Sequence, residues 1–297
     1  MATFNPLSWF SANSDSRRVS KASSPRKRRR SLKFQTLEAR QVLTAIVMTP
    51  HEQLLLELIN RARNDPGAEA ARYGIGLNEG ISSTITNTPK QPVAPNQILV
   101  DAAGAHSQDM IDNDYFSHTN LAGQSPSHRA TAAGYPVGVW ENISYGGSTG
   151  PIDWEANVYE RHRRLFLSTS GHRQNILIAS HQEVGPAVRF GQYTSGGWTY
   201  NVGMVTEKFG NPPGNSFLTG VVYTDASDGS AADNDFYTIG EQISSGTITA
   251  TNVASGDSYS TTIGPAGGYS LPLAPGTYTV TATGGGLPAD YTVESVI

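Results

Sequence analysis

Apolar residues in the first ordered part of the chain recur at helical spacing. Leu54, Leu55, Leu58, Ile59 and Ala62 form one stripe, and Thr49-Pro50-His51-Glu52 sets a capping box with proline at the first helical position ahead of it. Asp65-Pro66-Gly67 is expected to end this helix. Residues 74–97, with Gly, Asn, Thr and three prolines, read as a loop. A second helix is predicted over residues 97–112, placing Leu99, Ala102, Ala103, His106 and Met110 near one face. Ser125-Pro126 opens a short helix closed by Gly134. Residues 140–144 read as a strand ended by Gly146-Gly147, and a further helix is predicted over residues 153–167. Strands near 183–190 and 198–209 follow, joined by the turn-rich residues 191–197. Helices first and strands afterwards argue for a mixed α/β layer domain, not a parallel βαβ array.

Beyond the linker composition of residues 211–216 the period changes to two. Tyr278, Val280 and Ala282 alternate with Thr277, Thr279, Thr281 and Thr283, which suits a half-exposed antiparallel sheet. Residues 217–297 are therefore expected to form a small all-β sandwich. The chain of 297 residues with 31 Gly and 17 Pro is long enough for two cores, and no apolar run is long enough to span a bilayer.

Charge divides the chain unevenly. Residues 1–45 hold ten Lys and Arg against Asp15 and Glu38, whereas no Lys or Arg occurs after Lys208. A basic tail on an acidic body is not the footprint of a nucleic-acid-binding domain, whose positive charge lies on the folded surface. Little periodic hydrophobicity in residues 1–31 predicts disorder, and the run Arg26 to Arg30 is compatible with a localisation patch or the n-region of an export signal. The segment from Ser31 to Ala45, with Leu37-Glu38-Ala39-Arg40-Gln41-Val42-Leu43-Thr44-Ala45 at its end, resembles the N-terminal segment of many exported planctomycete proteins, which implies secretion or display at the cell surface.

Cysteine is absent, so any metal must rest on His and carboxylate. Two histidines and a glutamate stand in separate Gly- and aromatic-rich words: Phe116-Ser117-His118, Trp140-Glu141-Asn142-Ile143 and Gly171-His172-Arg173-Gln174-Asn175-Ile176-Leu177. Two imidazoles can hold a divalent cation such as zinc, and a nearby carboxylate can orient an imidazole or accept a proton. The same groups also suit a purely structural polar cluster. Ser107 and Ser117 adjoin histidines, yet neither sits in a Gly-x-Ser-x-Gly elbow. Arg173 and Asn175 are expected to fix the loop after His172 through backbone hydrogen bonds.

These words, together with Leu58-Ile59-Asn60-Arg61-Ala62-Arg63, Ala105-His106-Ser107-Gln108-Asp109-Met110, Ala133-Gly134-Tyr135 and residues 202–210, resemble in order the CAP superfamily, the SCP or cysteine-rich secretory domain, in a disulfide-free form. The resemblance implies a three-layer α-β-α sandwich over residues 46–210 with a cleft on one side of the sheet. It places the family's cleft tetrad on His118, Glu141, His172 and a helical glutamate, Glu160 or, in its stead, Glu155. Five helical positions apart, these two point about 140° away from each other, so only one faces the cleft. The implied roles are a binding or interaction module for a metal, lipid, peptide or cell-envelope ligand, a metal-assisted hydrolase, or an adhesive surface protein with an inert cleft.

Past the linker, residues 220–241 resemble the opening of SdrD B-like or carboxypeptidase-regulatory-like repeats. Clustered Asp225, Asp228, Asp233, Asp235 and Glu241 without a basic partner make Ca²⁺ an expectation there.

Overall fold

The computed structural model describes residues 2–3, 45–214, 216–225, 234–287 and 291–296. Residues 31–44 of the export-like segment, Asp228 and Asp233 therefore lie outside the described residues. In chain order the elements are β1 (Ala2–Thr3), α1 (Pro50–Asn64), α2 (Pro66–Arg72), β2 (Ala94–Pro95), α3 (Gln97–Asp112), α4 (Pro126–Ala132), β3 (Val139–Ser148), α5 (Trp154–Leu167) and α6 (His172–Leu177). Then come β4 (Glu183–Ser195), β5 (Trp198–Gly210), β6 (Ser216–Val221), β7 (Tyr223–Thr224), β8 (Thr247–Asn252), β9 (Ser258–Thr262), β10 (Gly268–Leu273), β11 (Thr277–Thr283) and β12 (Tyr291–Val296).

The capping box on α1 is present in both directions: Thr49 Oγ1 accepts from the Glu52 amide at 3.2 Å, and the Thr49 amide donates to Glu52 Oε2 at 2.9 Å. Thr49→Ala is expected to cost about 1 kcal/mol, measured as a lowered midpoint in urea denaturation with an unchanged slope. α1 ends at Asn64, as residues 65–67 predict, and a second helix, which the sequence pattern did not predict, begins at once. Asp65 caps α2 through the Ala68 amide and Pro66 occupies its first turn, where a missing N–H is harmless.

One sheet has the order β2-β4-β5-β3, with β2 parallel to β4 and the other pairs antiparallel. Cross-strand partners share a face, and that parity sorts the helices. Ser107 of α3 bonds Thr206, and a Cβ on Gly185 or Gly191 would strike Leu99 or Ile111 of α3, so even positions of β5 and odd positions of β4 and β3 face α3. The opposite face meets α1 and α5: Phe190 packs on His51 and Trp154, and Gly203 lies against Asn157. The fold is thus mixed α/β, with helices on both faces of an antiparallel-dominated sheet.

Two strand predictions need correction. Gly146-Gly147 does not end β3; it continues to Ser148, because the guanidinium of Arg161 and the backbone of Asn201 occupy the space a Cβ would need. β4 likewise runs on through residues 191–195, paired with residues 198–202 of β5, and the hairpin turns on Gly196 and Gly197 alone, both at positive φ.

After residue 216, β6 pairs with β10 and a second sheet has the order β12-β11-β8-β9. Leu218, Ile248, Tyr269, Leu271, Tyr278, Val280 and Ala282 share one core there, and the period-two reading of 278, 280 and 282 matches their burial. This part does not hang free of the first. Tyr223 and Tyr237 join the core that contains Leu54, Leu55 and Leu58, and Arg61 sits over the Phe236 ring at 4.8 Å.

Candidate functional site

Glu141 is the hub of a polar cluster with His118, Arg129 and Lys208. It faces α3 from β3, and its side chain is 1% exposed. His118 Nδ1 lies 2.9 Å from Oε1, Arg129 Nη2 donates to Oε2 at 2.9 Å, and Lys208 Nζ, wholly buried, donates to Oε2 at 2.5 Å. Burial alone would raise the Glu141 pKa. The His118 hydrogen bond and the charges of Lys208 and Arg129 outweigh it and hold the carboxyl near 2. Burial also draws the Lys208 ammonium downward, but the adjacent carboxylate opposes that, and we read the contact as an ion pair.

An ionised carboxylate only accepts, so a neutral His118 carries its proton on Nδ1 and presents Nε2 as a free lone pair. Its side chain is 47% exposed. Behind it, Arg129 Nη1 also donates to the His118 and Gln124 carbonyls, which fixes the loop that carries the ring.

His172 opens α6 after Gly171, which adopts the left-handed φ of 99°. Its Nδ1 bonds Ser168 Oγ at 2.9 Å. Burial, and next the neighbouring His118, lower its pKa, so the ring is neutral at pH 7 and senses the other imidazole. Neither Nε2 makes a hydrogen bond among the described residues.

The His172 backbone is held from two sides. Asn142 Nδ2 donates to the His172 carbonyl at 3.2 Å and to Glu207 Oε2 at 2.9 Å, while Asn175 Nδ2 donates to Asn142 Oδ1. Asn175 thus acts through a side chain, not through the backbone. Arg173, buried, donates to the Phe166, Leu167, Leu77 and Glu79 carbonyls. Glu207 is fully buried with one amide partner, and burial raises its pKa to about 7.

Of the two helical glutamates, neither is joined to His118, Glu141 or His172 by a hydrogen bond or ion pair among the described residues. Glu160 is half-exposed and paired with Arg163 and Arg164. Glu155 accepts from the Ile239 backbone, on the side of the C-terminal segment. His106 is buried, bonds the Ser117 carbonyl at 3.0 Å and lies 3.9 Å from Glu141. Motif reading missed Lys208 and Arg129. The available signal for Lys208 was its parity with Met204 and Thr206 on the covered face of β5.

No group of three or more His, Asp or Glu converges in metal-holding geometry among the described residues. In the acidic segment, Asp225 accepts from the Asn234 and Asp235 amides and Glu241 from the Thr238 amide, so these carboxylates cap turns. A cavity of about 360 Å³ is lined by Ser127, Val137, Gly138, Val139, Trp140 and Asn211, beside the start of β3 and not by the imidazoles. No described helix is long and apolar enough to cross a membrane.

A family model described as CAP, cysteine-rich secretory protein family, matches residues 56–209. Two solved structures show partial likeness. An extracellular protein containing an SCP domain from Bacillus anthracis is 21% identical over 40% of this chain and 34% of its own, with a TM-score of 0.28. An outer surface protein from Borrelia burgdorferi is 13% identical over 55% of this chain and 96% of its own, with a TM-score of 0.33. The present chain accordingly spans about a third of the length of the first. No curated protein matches by sequence.

Proposed function

We propose that this chain, which belongs to the cysteine-rich secretory protein family, is an exported binding module whose cleft takes a divalent cation of zinc's class between His118 and His172. The observation that carries the reading is the state of the two rings. Both Nδ1 atoms are engaged from behind, by Glu141 and by Ser168, while both Nε2 atoms are left open. That is the arrangement in which a supporting partner fixes ring orientation and tautomer for a metal ligand. Two protein ligands leave the remaining coordination positions to water or to a small ligand carried with the cation.

Binding is favoured over hydrolysis by the carboxylate. A general base works best with a pKa near the operating pH, and Glu141, held near 2 by three cationic or hydrogen-bonding neighbours, is a weak one. Export is supported by the family and by the N-terminal segment. The helices on both faces of the sheet support a three-layer α-β-α sandwich, and the core shared by β6, β8, β10 and β11 supports a β-sandwich module after it, acting as a spacer.

Isothermal titration of the full chain with Zn²⁺ at pH 7 tests the reading. One ion per chain is expected. Glu141→Gln should weaken it by about 10–100-fold, the usual cost of losing a supporting partner, and His172→Ala by more. Unchanged affinity in His118→Ala and His172→Ala would refute a cleft site and favour an inert cleft on an adhesive protein.

A further inference from the structure

Two carboxyls stand at neighbouring positions of the β3–β5 ladder, where Glu141 lies opposite Lys208 and Asn142 opposite Glu207. The pleat sends them to opposite faces of the sheet. Their surroundings differ. Glu141 is held between Lys208 and Arg129, whereas Glu207, with no solvent exposure, accepts from the Asn142 side chain, and its Oε1 has no hydrogen-bond partner among the described residues. Burial raises this carboxyl to about 7 and the Asn142 hydrogen bond opposes it only in part, so Glu207 is largely neutral at pH 6.

Ionisable groups on the elements around this face are engaged elsewhere. His162 of α5 bonds Glu69, while Arg63 of α1 and Arg173 of α6 donate to backbone carbonyls. His181, stacked on Phe209 two positions along β5, is lowered to about 4 by burial and by Arg63 and is therefore neutral. The β4 partner of Glu207 is Pro186. The remaining titratable neighbour is His172 itself, reached through its backbone.

β3 is the edge strand of its sheet, and the imidazoles are anchored on either side of it. His118 is tied to Glu141 on the α3 face, and the His172 carbonyl to Asn142 on the other. The Asn142 amide therefore joins Glu207 to the turn that carries His172. On the α3 face, Glu141, Lys208 and Arg129 already carry one negative charge against two positive ones, so a divalent ion would add to an excess of positive charge. Glu207 is the carboxyl linked to the site that no cation neutralises.

We propose that Glu207 is the counter-charge of the cation site: neutral in the metal-free protein, it releases its proton to bulk water when a divalent cation binds at His118 and His172. The inference rests on the cation reading above and extends it to the proton exchanged on binding. A dication on the order of 10 Å from a carboxyl, through an effective dielectric of about 20, shifts its ionisation by roughly a hundredfold. The carboxylate so formed keeps the Asn142 amide as its donor.

Zn²⁺ titration of the full chain at pH 6 and pH 8, in buffers of different ionisation enthalpy, counts the protons. At pH 6 wild type should release nearly one proton more per zinc than Glu207→Gln, which keeps the size and the acceptor oxygen but cannot ionise. At pH 8 wild type should bind about a hundredfold more tightly than Glu207→Gln, a margin that narrows toward pH 6. Infrared difference spectra of the two metal-free proteins at pH 6 should show a protonated carboxyl band in wild type that Zn²⁺ removes. Equal proton release and equal affinity in the two proteins, with zinc binding still lost in His172→Ala, would overturn this inference and leave the cation site standing. Zinc affinity unmoved in His172→Ala would remove the cation site and this inference with it. A Glu207 already ionised at pH 6 in the infrared would overturn the inference whatever zinc does.

Discussion

Glu141→Ala is expected to lower stability by about 3–5 kcal/mol, the cost of breaking a buried ion pair and leaving its partner charge unpaired. The partner is Lys208, whose side chain has no solvent exposure and whose ammonium donates to Glu141. Arg129 loses its carboxylate contact in the same step. Glu141→Gln should cost less, because an amide oxygen still accepts one hydrogen bond. The same pair sets a pH dependence. The folded-state pKa lies near 2, below the ordinary 4.5, so the stabilisation is present above about pH 4.5 and is lost as pH falls toward 2. It amounts to roughly 3 kcal/mol at ~1.4 kcal/mol per unit. Urea denaturation at pH 7 and pH 3 should show wild type losing much of this difference and Glu141→Gln losing little. Equal losses would place the acid-sensitive group elsewhere.

Arg173→Ala is expected to cost a comparable amount, about 3–5 kcal/mol, and to weaken Zn²⁺ binding as well. Its guanidinium supplies donors to four backbone carbonyls, two at the end of α5 and two in the loop at residues 77–79. Hydrogen bonds from a charged donor are worth ~1.5–3 kcal/mol each, and buried carbonyls left unpaired add their desolvation. The residue follows His172 directly, so releasing it frees the turn that aims the ring. Arg173→Lys should rescue little, since one compact ammonium does not span the carbonyls that a planar fork reaches. Thermal denaturation and zinc titration of both variants check this. A stability loss with unaltered zinc affinity would separate the scaffold from the site.

Local chemistry made much of this legible from the chain alone. The Thr49 box, the stripe on α1 and the alternation of Tyr278, Val280 and Ala282 act within a few residues, and they appear where expected. His118, Glu141 and His172 stood in distinctive words. The two helical glutamates did not follow, although helix arithmetic held a warning. Val158, His162, Leu165 and Phe166 form the buried face of α5, and Glu160 lies about 200° around the helix from Val158 at 100° per residue. Lys208 was hidden for a different reason. A lysine on a strand ordinarily points to solvent, and only the register of β3, β5 and α3 reveals that it lies under Glu141. The prolongation of β3 through two glycines was equally non-local, because it depends on Arg161 and Asn201 approaching the backbone.

The measurement that bears most directly on the cleft is a double-mutant cycle in Zn²⁺ affinity across His118 and His172. Both rings are partly exposed, so each alanine variant is expected to stay folded. If one cation bridges the two open Nε2 atoms, the effects are strongly non-additive: either substitution removes most of the affinity and the second adds little, a coupling above about 1 kcal/mol. Additive losses, or none, would mean that the two imidazoles do not share a ligand.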